Sequence, residues 1–376
     1  MRPPHEASRL QEEVLTISPE ELEKFASWDG VRLSSPAEGR RFTRQDVEAI
    51  VAIWRERRGP SEKPQSVYWQ KIPWRQGPNL NGVDLAGRRL RKLDLAGAVL
   101  PDVQFNNSHL HDSDLSGAWL WRANLSKARL SRADLSGAVL YEADLTEAEF
   151  FRADLRDAYL TGANLEKTRL LDADLRGAYF YRARLSETEM MASQIGGAIG
   201  EEKAKWFKGA MEAYSRLKAN FESIGRYADA GWAYCKERRM AKRWAAEQAL
   251  ALHKERKHQQ AMAHWMKWLK DWSVELLCDY GESVWRILGW AIALFCIGGP
   301  LLLHLLGGIE DSKGNLLLPQ YRSYLLYMVD VFTTSNYSSF SAGNDAVKLA
   351  AGIMSLIVIF LVGLLGFVAG NRIRNV

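Results

Sequence analysis

The fold is decided by the stretch SRADLSGAVLYEADLTEAEFFRADLRDAYLTGANLEKTRLLDADL, residues 131–175. Every fifth residue in it is apolar, and this pattern extends in both directions through 24 consecutive positions, from Leu80 to Ile195. The residue two positions before each of these is small in most units, and Asp or Asn often stands between the two. An α-helix repeats about every 3.6 residues and a β-strand about every 2.0, so neither accounts for a period of five.

A square coil accounts for this period. If each five-residue unit forms one side, four units close a turn, and the apolar and the small residue both point toward the axis. Stacked turns would lie about 4.8 Å apart, so six coils form a rod of about 29 Å. Larger residues at the small position, such as Arg88, Leu93 and Val103, predict a looser amino-terminal coil. Residues 1–77 are expected to be a mostly helical cap and linker.

The pattern resembles that of the pentapeptide-repeat family. This resemblance covers residues 78–199 and implies a right-handed quadrilateral β-helix, which is a fold and not a function. Some members of that family resemble duplex DNA and bind topoisomerases, which requires a strongly acidic rod. Because residues 78–199 carry 15 basic and 17 acidic groups, we expect a spacer, cap or assembly surface instead.

The averages of the whole chain conceal its division into segments. The 376 residues have a formal net charge of +5. Their mean hydropathy is −0.25, so they look like a basic soluble protein with nucleic acid as a candidate partner. However, residues 200–286 alone carry 17 basic and 12 acidic groups, which equals the entire excess. No nucleic-acid partner is therefore expected.

Two long apolar runs lie near the carboxyl end. Residues 287–306 have His304 as their one strongly polar member, and residues 349–370 contain no ionisable side chain. Each run can cross a hydrocarbon core about 30 Å thick at about 1.5 Å per residue, so the sequence predicts a membrane protein with two transmembrane helices. Lys and Arg are concentrated before the first run and after the second, which places both termini in the cytoplasm, beneath the inner cell membrane.

A helical connector is predicted over residues 200–286. Residues 217–234 read as a helix, a turn at Gly225 and a second helix, which resembles a single tetratricopeptide-type hairpin. One continuous helix is expected to follow, from about residue 238 to 277. Its apolar residues at helical spacing share one face, opposite Lys267 and Lys270: Trp265, Trp268, Leu269, Trp272 and Leu276. This face packs on the hairpin or a sister subunit, or it lies in the bilayer interface near anionic headgroups; the sequence leaves both interpretations open.

The segment between the runs reads YRSYLLYMVDVFTTSNYSSFSAGNDAVK, residues 321–348. A helix too short and too polar to span is followed by a polar turn and then by the second run. This order resembles the two-span potassium-channel family, whose filter signature Thr-Thr-Val-Gly-Tyr-Gly-Asp aligns without a gap on seven residues: Thr333, Thr334, Ser335, Asn336, Tyr337, Ser338 and Ser339. The resemblance covers about residues 281–376. It implies a two-span pore domain over 287–376 with a re-entrant pore loop at 321–340, a homotetramer around one pore, and permeating inorganic ions.

The filter departs from that family at its glycines. A potassium filter directs backbone carbonyls at the ion, and two glycines permit the backbone angles that this requires. Asn336 is a fair substitute because Asn adopts left-handed geometry, whereas Ser338 is a poor one, and Ser339 removes a charge at the outer mouth. We therefore expect cation conduction with atypical or poor K⁺ selectivity. Anion conduction is the alternative, because Arg372 and Arg374 would lie near the cytoplasmic mouth.

Four further positions carry expectations. Asp330 falls where the pore helix of that family often has an acidic residue, and we interpret it as a structural acid that supports the filter. Gly363 and Gly366 are candidate hinges for gating, although glycines in membrane helices also allow close packing. His304 is expected to make a local hydrogen bond.

Motifs for catalysis are missing from the sequence. It contains no phosphate-binding glycine-rich loop, no His-Glu-x-x-His and no paired cysteines for zinc, so no enzyme activity, cofactor or metal is expected. Two functional hypotheses remain. The first is an ion channel gated through its cytoplasmic repeats and helices, and the second is a membrane-anchored scaffold or sensor with a degenerate pore loop.

Overall fold

The computed structural model describes residues 41–58, 80–281, 283–306, 309–310, 321–333 and 340–374. The chain divides into two compact units, Met1–Trp244 and Ala245–Val376. This division falls inside the segment 200–286 that the sequence suggested as one connector. Of the expected cap and linker over 1–77, only residues 41–58 belong to the described part of the chain.

The first unit is built on a square coil of four five-residue sides. Parallel bridges join residues 20 apart, from Asp84↔Gln104 through to Arg169↔Glu189. Backbone hydrogen bonds link each coil to the next, as in Leu115 N–H to the Asp134 carbonyl at 2.7 Å. Four units of five residues per turn confirm the coil that the period predicted.

The axis of the coil is filled by the two periodic side chains. All 24 apolar fifth-position residues are 4% exposed or less. The small position is also buried in nearly every unit, and Arg88 is a half-buried exception. At three of the small positions that carry a hydroxyl, the side chain donates to a backbone carbonyl, as Thr168 Oγ1 does to Leu145 at 2.7 Å. The Ser108 hydroxyl, also buried at this position, has no hydrogen-bond partner among the described residues.

Each side of the coil turns through a residue in left-handed geometry. The φ angle is positive at every fifth position from Gly82 to Glu187, and 15 of these 22 residues are not glycine. A non-glycine residue in this region costs about 1–2 kcal/mol. The Asp or Asn of many units offsets part of this cost, since its side chain accepts the N–H two residues on, as Asp114 Oδ1 does from Ser116 at 2.9 Å.

A helix closes the amino-terminal end of the coil. Helix α1, Arg44–Arg58, begins with a reciprocal cap in which Asp46 accepts the Thr43 N–H and Thr43 Oγ1 accepts the Asp46 N–H. Phe42 donates its N–H to the Asp84 carbonyl at 3.2 Å. The side chains of Phe42, Val47 and Ile50 are wholly buried in the same core as the first coil. The edge of the coil is thereby covered by apolar and hydrogen-bonding groups.

Three helices close the opposite end. A short 3-10 helix, Ala192–Ile195, leads to α2 at Gly200–Lys203, α3 at Phe207–Ser223 and α4 at Tyr227–Lys254. The turn between α3 and α4 places Gly225 at φ 75°, which confirms the helix, turn and helix expected over 217–234. Asn220 binds Thr188 twice: its Nδ2 donates to the Thr188 carbonyl, and its Oδ1 accepts the Thr188 N–H, each at 3.0 Å.

Two neighbouring glutamates lie where the last coil meets these helices. Glu201 is wholly buried, and its Oε1 accepts the Tyr181 N–H at 2.5 Å. Its Oε2 has no hydrogen-bond partner among the described residues. Burial raises the pKa of Glu201 to about 7. Glu202 instead accepts the Tyr214 hydroxyl at 2.6 Å and lies 3.1 Å from Lys236 Nζ.

The second unit contains the remaining elements. They are α5 at His258–Cys278, α6 at Val284–Ala293, α7 at Gly299–Leu305, β1 at Ile309–Glu310, α8 at Tyr321–Thr333, β2 at Ser341–Ala342 and α9 at Asp345–Arg374. A 3-10 turn, Asp279–Gly281, follows α5, and a π-helical segment, Leu294–Gly298, joins α6 to α7. Strands β1 and β2 pair antiparallel, with Ile309 opposite Ala342.

The expected continuous helix over 238–277 is wrong. Helix α4 ends at Lys254 and α5 begins at His258, because Arg256 takes a left-handed conformation, φ 59°. The Arg256 N–H bonds to the His253 carbonyl and the Lys257 N–H to the Leu252 carbonyl, which is a Schellman ending. Sequence reasoning missed it because glycine or asparagine usually marks such an ending.

The narrow axis gives a first testable prediction. Replacing Ala143 by leucine should lower the free energy of unfolding by about 1–3 kcal/mol, because the wholly buried layer has no room for three more carbons. Ala96→Leu, at an outward position that is only half-buried, is the matched control and should be nearly neutral. Urea unfolding of the detergent-solubilised protein measures both. Equal effects of the two substitutions would contradict the axial packing.

Glu201 gives a second prediction, on pH. Between about pH 4.5 and 7 the folded protein holds a proton that the unfolded chain releases, so this residue's contribution to stability is full below pH 4.5. This contribution falls as the pH rises and is lost above pH 7, so the free energy of unfolding decreases by about 3 kcal/mol in total. Glu201→Gln keeps the acceptor for Tyr181 but carries no charge. The variant should match the parent protein at pH 4.5 and be more stable at pH 8.

Urea midpoints across this pH range test the prediction. Glu187→Gln, an exposed glutamate of the last complete coil, is the control and should follow the parent curve. Parallel curves for Glu201→Gln and the parent protein would show that the buried carboxyl does not titrate in this range.

Candidate functional site

Two helical segments in the second unit are long and apolar enough to cross a membrane. They are Trp285–Leu305, formed by α6, the π segment and α7, and Asp345–Gly366 within α9. The sequence placed the spans at 287–306 and 349–370, so the observed segments begin two and four residues earlier. Length and composition are shared with buried helices of soluble proteins. However, only 22% and 33% of these two segments is buried within the chain.

The first segment changes its winding at a proline. The π-helical Leu294–Gly298 directly precedes Gly299 and Pro300, and Pro300 stands in the first turn of α7. Proline has no N–H to donate to the preceding turn and its ring crowds the carbonyl there, which favours a local change of winding. Gly299 is thereby placed against α8. A Cβ on it would lie 2.9 Å from Met328 Cε and 3.2 Å from the Leu294 carbonyl oxygen, so a larger residue here would require Met328 to shift.

The short helix α8 is packed between the two segments. Tyr324 and Met328 are buried in one cluster with Leu303 from α7 and with Val347 and Met354 from α9. The β1–β2 pair joins the start and the end of the loop that contains α8. A helix of 13 residues is too short to cross a membrane by itself, and here it is held by both neighbours.

Polar groups tie the loop to the helix ends. His304 Nδ1 lies 3.0 Å from the Tyr324 hydroxyl, which confirms the local hydrogen bond expected for His304. Asn344 Nδ2 donates to the Leu306 carbonyl at 2.8 Å, and its Oδ1 accepts the Val347 N–H at the start of α9. These bonds satisfy backbone groups at the end of α7 and the beginning of α9.

The structure places only part of the expected filter. Thr333 is the last residue of α8, where its Oγ1 donates to the Val329 carbonyl at 2.8 Å and its side chain is exposed. Asp330 is half-buried one turn earlier. The other six filter residues lie outside the described part of the chain: Thr334, Ser335, Asn336, Tyr337, Ser338 and Ser339.

The expected hinge and mouth residues lie on α9. A Cβ at Gly363 or Gly366 would meet nothing within 4 Å, so neither glycine is required by close packing inside one chain. Arg372 and Arg374 belong to the last turns of α9, but their side chains are not among those described. The candidate site is therefore spread along α8 and α9.

One face of this helical arrangement is left uncovered by the described part of the chain. Apolar residues recur at helical spacing along α9, and each is about half exposed or more: Leu349, Ile353, Leu356 and Phe360. A shallow groove runs along the same face of α9. It begins at the polar residues Asp345 and Lys348 and is lined further along by Leu349, Gly352, Ile353 and Leu356. Leu326 and Val329 on α8 are also exposed. Such a stripe is typical of a surface covered by lipid or by another subunit.

Among the described residues, no three His, Cys, Asp or Glu side chains are close enough together to hold a metal ion. Sequence reasoning missed Glu201 and Gly299, which no motif marks. The burial of Glu201 depends on helices that fold back over the last coil. The role of Gly299 depends on the approach of Met328, about 30 positions away along the chain.

Comparison with known proteins finds similarity in the repeats. A family model described as pentapeptide repeats matches residues 79–117, 120–157 and 153–190, with eight copies. No curated protein sequence matches the chain.

Solved structures are similar over the same part of the chain. A pentapeptide repeat protein from the thylakoid lumen of Arabidopsis thaliana is 26% identical over 31% of this chain and 70% of its own, with a TM-score of 0.20. Rfr23 of the cyanobacterium Cyanothece 51142 is 28% identical over 30% of this chain and 86% of its own, with a TM-score of 0.20. QnrB1, a plasmid-mediated fluoroquinolone resistance protein, is 18% identical over 30% and 56%, with a TM-score of 0.21.

With TM-scores this low, the structural similarities carry no argument about function. The family match is independent of them, and it coincides with the 20-residue coil seen in the first unit. Residues 79–190 of this chain are therefore pentapeptide repeats that fold as a β-helix.

Proposed function

We propose that this protein is a subunit of an oligomeric pore-loop ion channel in the inner cell membrane, with its pentapeptide repeats in the cytoplasm. The observation that carries the proposal is the position of α8, a helix of 13 residues packed between two apolar helices. Its carboxyl end, at Thr333, leads directly into the sequence TSNYSS. This is the order of helix, filter and span on which pore-loop channels are built.

The distribution of burial supports a membrane location and more than one subunit. The two candidate spans expose most of their apolar surface. Exposure of so large an apolar area to water is unfavourable. One loop cannot enclose an ion pathway, so several copies must surround the axis. The exposed apolar stripe of α9 offers each copy a surface for its neighbours, and the resemblance to two-span potassium channels suggests four.

The sign of the charge on permeating ions follows from the direction of α8. A helix presents unpaired carbonyls and a partial negative charge at its carboxyl end, which here is the end that precedes the filter. Cations are stabilised at such a site. Since Ser338 and Ser339 replace a glycine and an acid of the potassium filter, we expect K⁺ and Na⁺ to be poorly distinguished.

Gating is assigned to α9 and the cytoplasmic part. Gly363 and Gly366 can bend the helix because no described residue of the chain approaches the position of a Cβ at either glycine within 4 Å. The repeats share one hydrophobic core with α3 and the first part of α4, and we assign the reception of a gating signal to this part of the chain.

A second candidate is a membrane-anchored scaffold or sensor whose pore loop no longer conducts. The departure of Asn336, Ser338 and Ser339 from the potassium filter favours this alternative. Anion conduction is the third outcome, favoured by Arg372 and Arg374 at the end of α9.

Planar bilayers test conduction. The purified protein should give single-channel currents whose reversal potential in a KCl gradient lies toward the K⁺ equilibrium potential and is close to zero between equal KCl and NaCl. Thr334→Ala and Tyr337→Ala should change the unit conductance, whereas Ser131→Ala, in the repeats, should leave it unchanged. Silent bilayers from folded protein would support the scaffold, and a reversal potential near that of chloride would support an anion channel.

Cross-linking tests the assembly. In protein whose Cys235, Cys278 and Cys296 are replaced by serine, Leu356→Cys should be joined between subunits by a long bis-maleimide cross-linker because the stripe on α9 faces neighbouring copies. Ile297→Cys, on the exposed face of the first span, should face lipid and not cross-link. Native mass spectrometry should then find four copies. Cross-linking at Ile297 but not at Leu356 would contradict this arrangement of the spans.

A further inference from the structure

Helix α5 presents an apolar stripe that nothing in the described part of its own unit covers. Its members recur every three or four residues and all are exposed: Met262, Trp265, Met266, Leu269, Trp272 and Leu276. Met262 and Met266 are more than 60% exposed. About four turns of solvent-facing Met, Trp and Leu are unusual for a soluble surface and indicate an interaction site.

The stripe is distinct from the face by which α5 packs on the spans. Val274 and Leu277 contact the cluster formed by Ile287 of α6 and Leu361 of α9. Since α5 turns by about 100° per residue, these two residues lie on a face adjacent to the stripe. The helix thus has one side fixed to the spans and another side free for a further partner.

The carboxyl end of α5 is fixed to the first turns of the first span. Trp290 Nε1 donates to the Leu276 carbonyl at 3.0 Å, and Arg286 Nη1 donates to the Glu275 carbonyl at 3.1 Å. Arg286 also lies 3.6 Å from Asp279, in the turn between the helices. If Trp285–Leu305 crosses the membrane, these bonds hold the end of α5 at the level where the span enters it.

Continuity with the span and the local charge identify the partner. Trp285, at the start of the span, is 77% exposed, and Trp290 of the same helix bonds to the carbonyl of Leu276 at the end of the stripe. Lys267 and Lys270 are exposed on the other side of α5, and Lys254, Arg256 and Lys257 precede it. Tryptophan beside lysine is the composition that partitions to the boundary between acyl chains and anionic headgroups.

We propose that α5 lies flat in the cytoplasmic interface of the bilayer, with its Met, Trp and Leu stripe below the headgroups of anionic lipids. The proposal rests on the proposed function only in that Trp285–Leu305 must cross the membrane. It selects lipid over a sister subunit as the cover of the stripe. A lipid-bound α5 would connect movement along the membrane surface to the first span.

Depth-dependent quenching tests the proposal in the full chain. Cys235, Cys278 and Cys296 are replaced by serine, and an environment-sensitive fluorophore is attached at Leu269→Cys. The protein is reconstituted in vesicles of phosphatidylcholine and phosphatidylglycerol that carry nitroxide lipids labelled near the headgroup or near the chain end. Lys267→Cys, on the charged side of α5, and Ile297→Cys, in the span, are labelled as controls. Met266→Cys is a second stripe position, in case the label at Leu269 disturbs folding.

The fluorophore at each stripe position should be quenched about threefold more by the shallow nitroxide than by aqueous iodide. The fluorophore at Lys267→Cys should be quenched more by iodide than by the shallow nitroxide. Ile297 should be quenched by the deep nitroxide. If Ile297 behaves so while the stripe is quenched by iodide, or by neither reagent as in a subunit contact, the proposal for α5 is overturned and the spans stand. If Ile297 is not quenched by either lipid, the membrane spans themselves are overturned.

Discussion

The first unit depends on the hydrogen bonds between successive coils. Each five-residue side must turn a corner, and it does so with one residue in left-handed geometry, in most units not a glycine. That conformation is unfavourable for each residue taken singly. It persists because the corner aligns N–H and carbonyl groups with the coil above and below, and because turning the corner directs leucine and alanine to the axis. One coil alone would have neither benefit, so the rod forms only as a stack.

The first and last coils of such a stack have backbone groups with no neighbouring coil to pair with. The flanking residues cover these groups and form hydrogen bonds with them. At the amino-terminal end, Phe42 and α1 supply a hydrogen bond and an apolar cover. At the other end, Asn220 and the side chain of Glu201 take the place of a missing next coil. The Glu201 carboxyl does this at the cost of burial without an ionic partner, which is why its pKa lies near 7.

The two units differ in how completely a single chain buries its apolar side chains. The coil buries every leucine that points to its axis, so the rod needs no partner to cover its core. The second unit leaves the stripe of α5, the stripe of α9 and most of both candidate spans exposed. A bilayer and neighbouring subunits together would cover these surfaces. The proposed channel rests on this contrast and on α8, which packs between the two candidate spans.

The sequence by itself determined the coil, its axis and the two apolar segments, because each follows from a period or a length that local composition repeats many times. It did not reveal the left-handed ending at Arg256, the buried carboxyl of Glu201 or the approach of Met328 to Gly299. Only the tertiary structure reveals these features. Each depends on contacts between residues distant in the chain, or on a backbone conformation that the residue type does not predict. The faces of α5 were likewise ambiguous in sequence. Only the packing of Val274 and Leu277 against the spans separates the face that the unit buries from the face it leaves exposed.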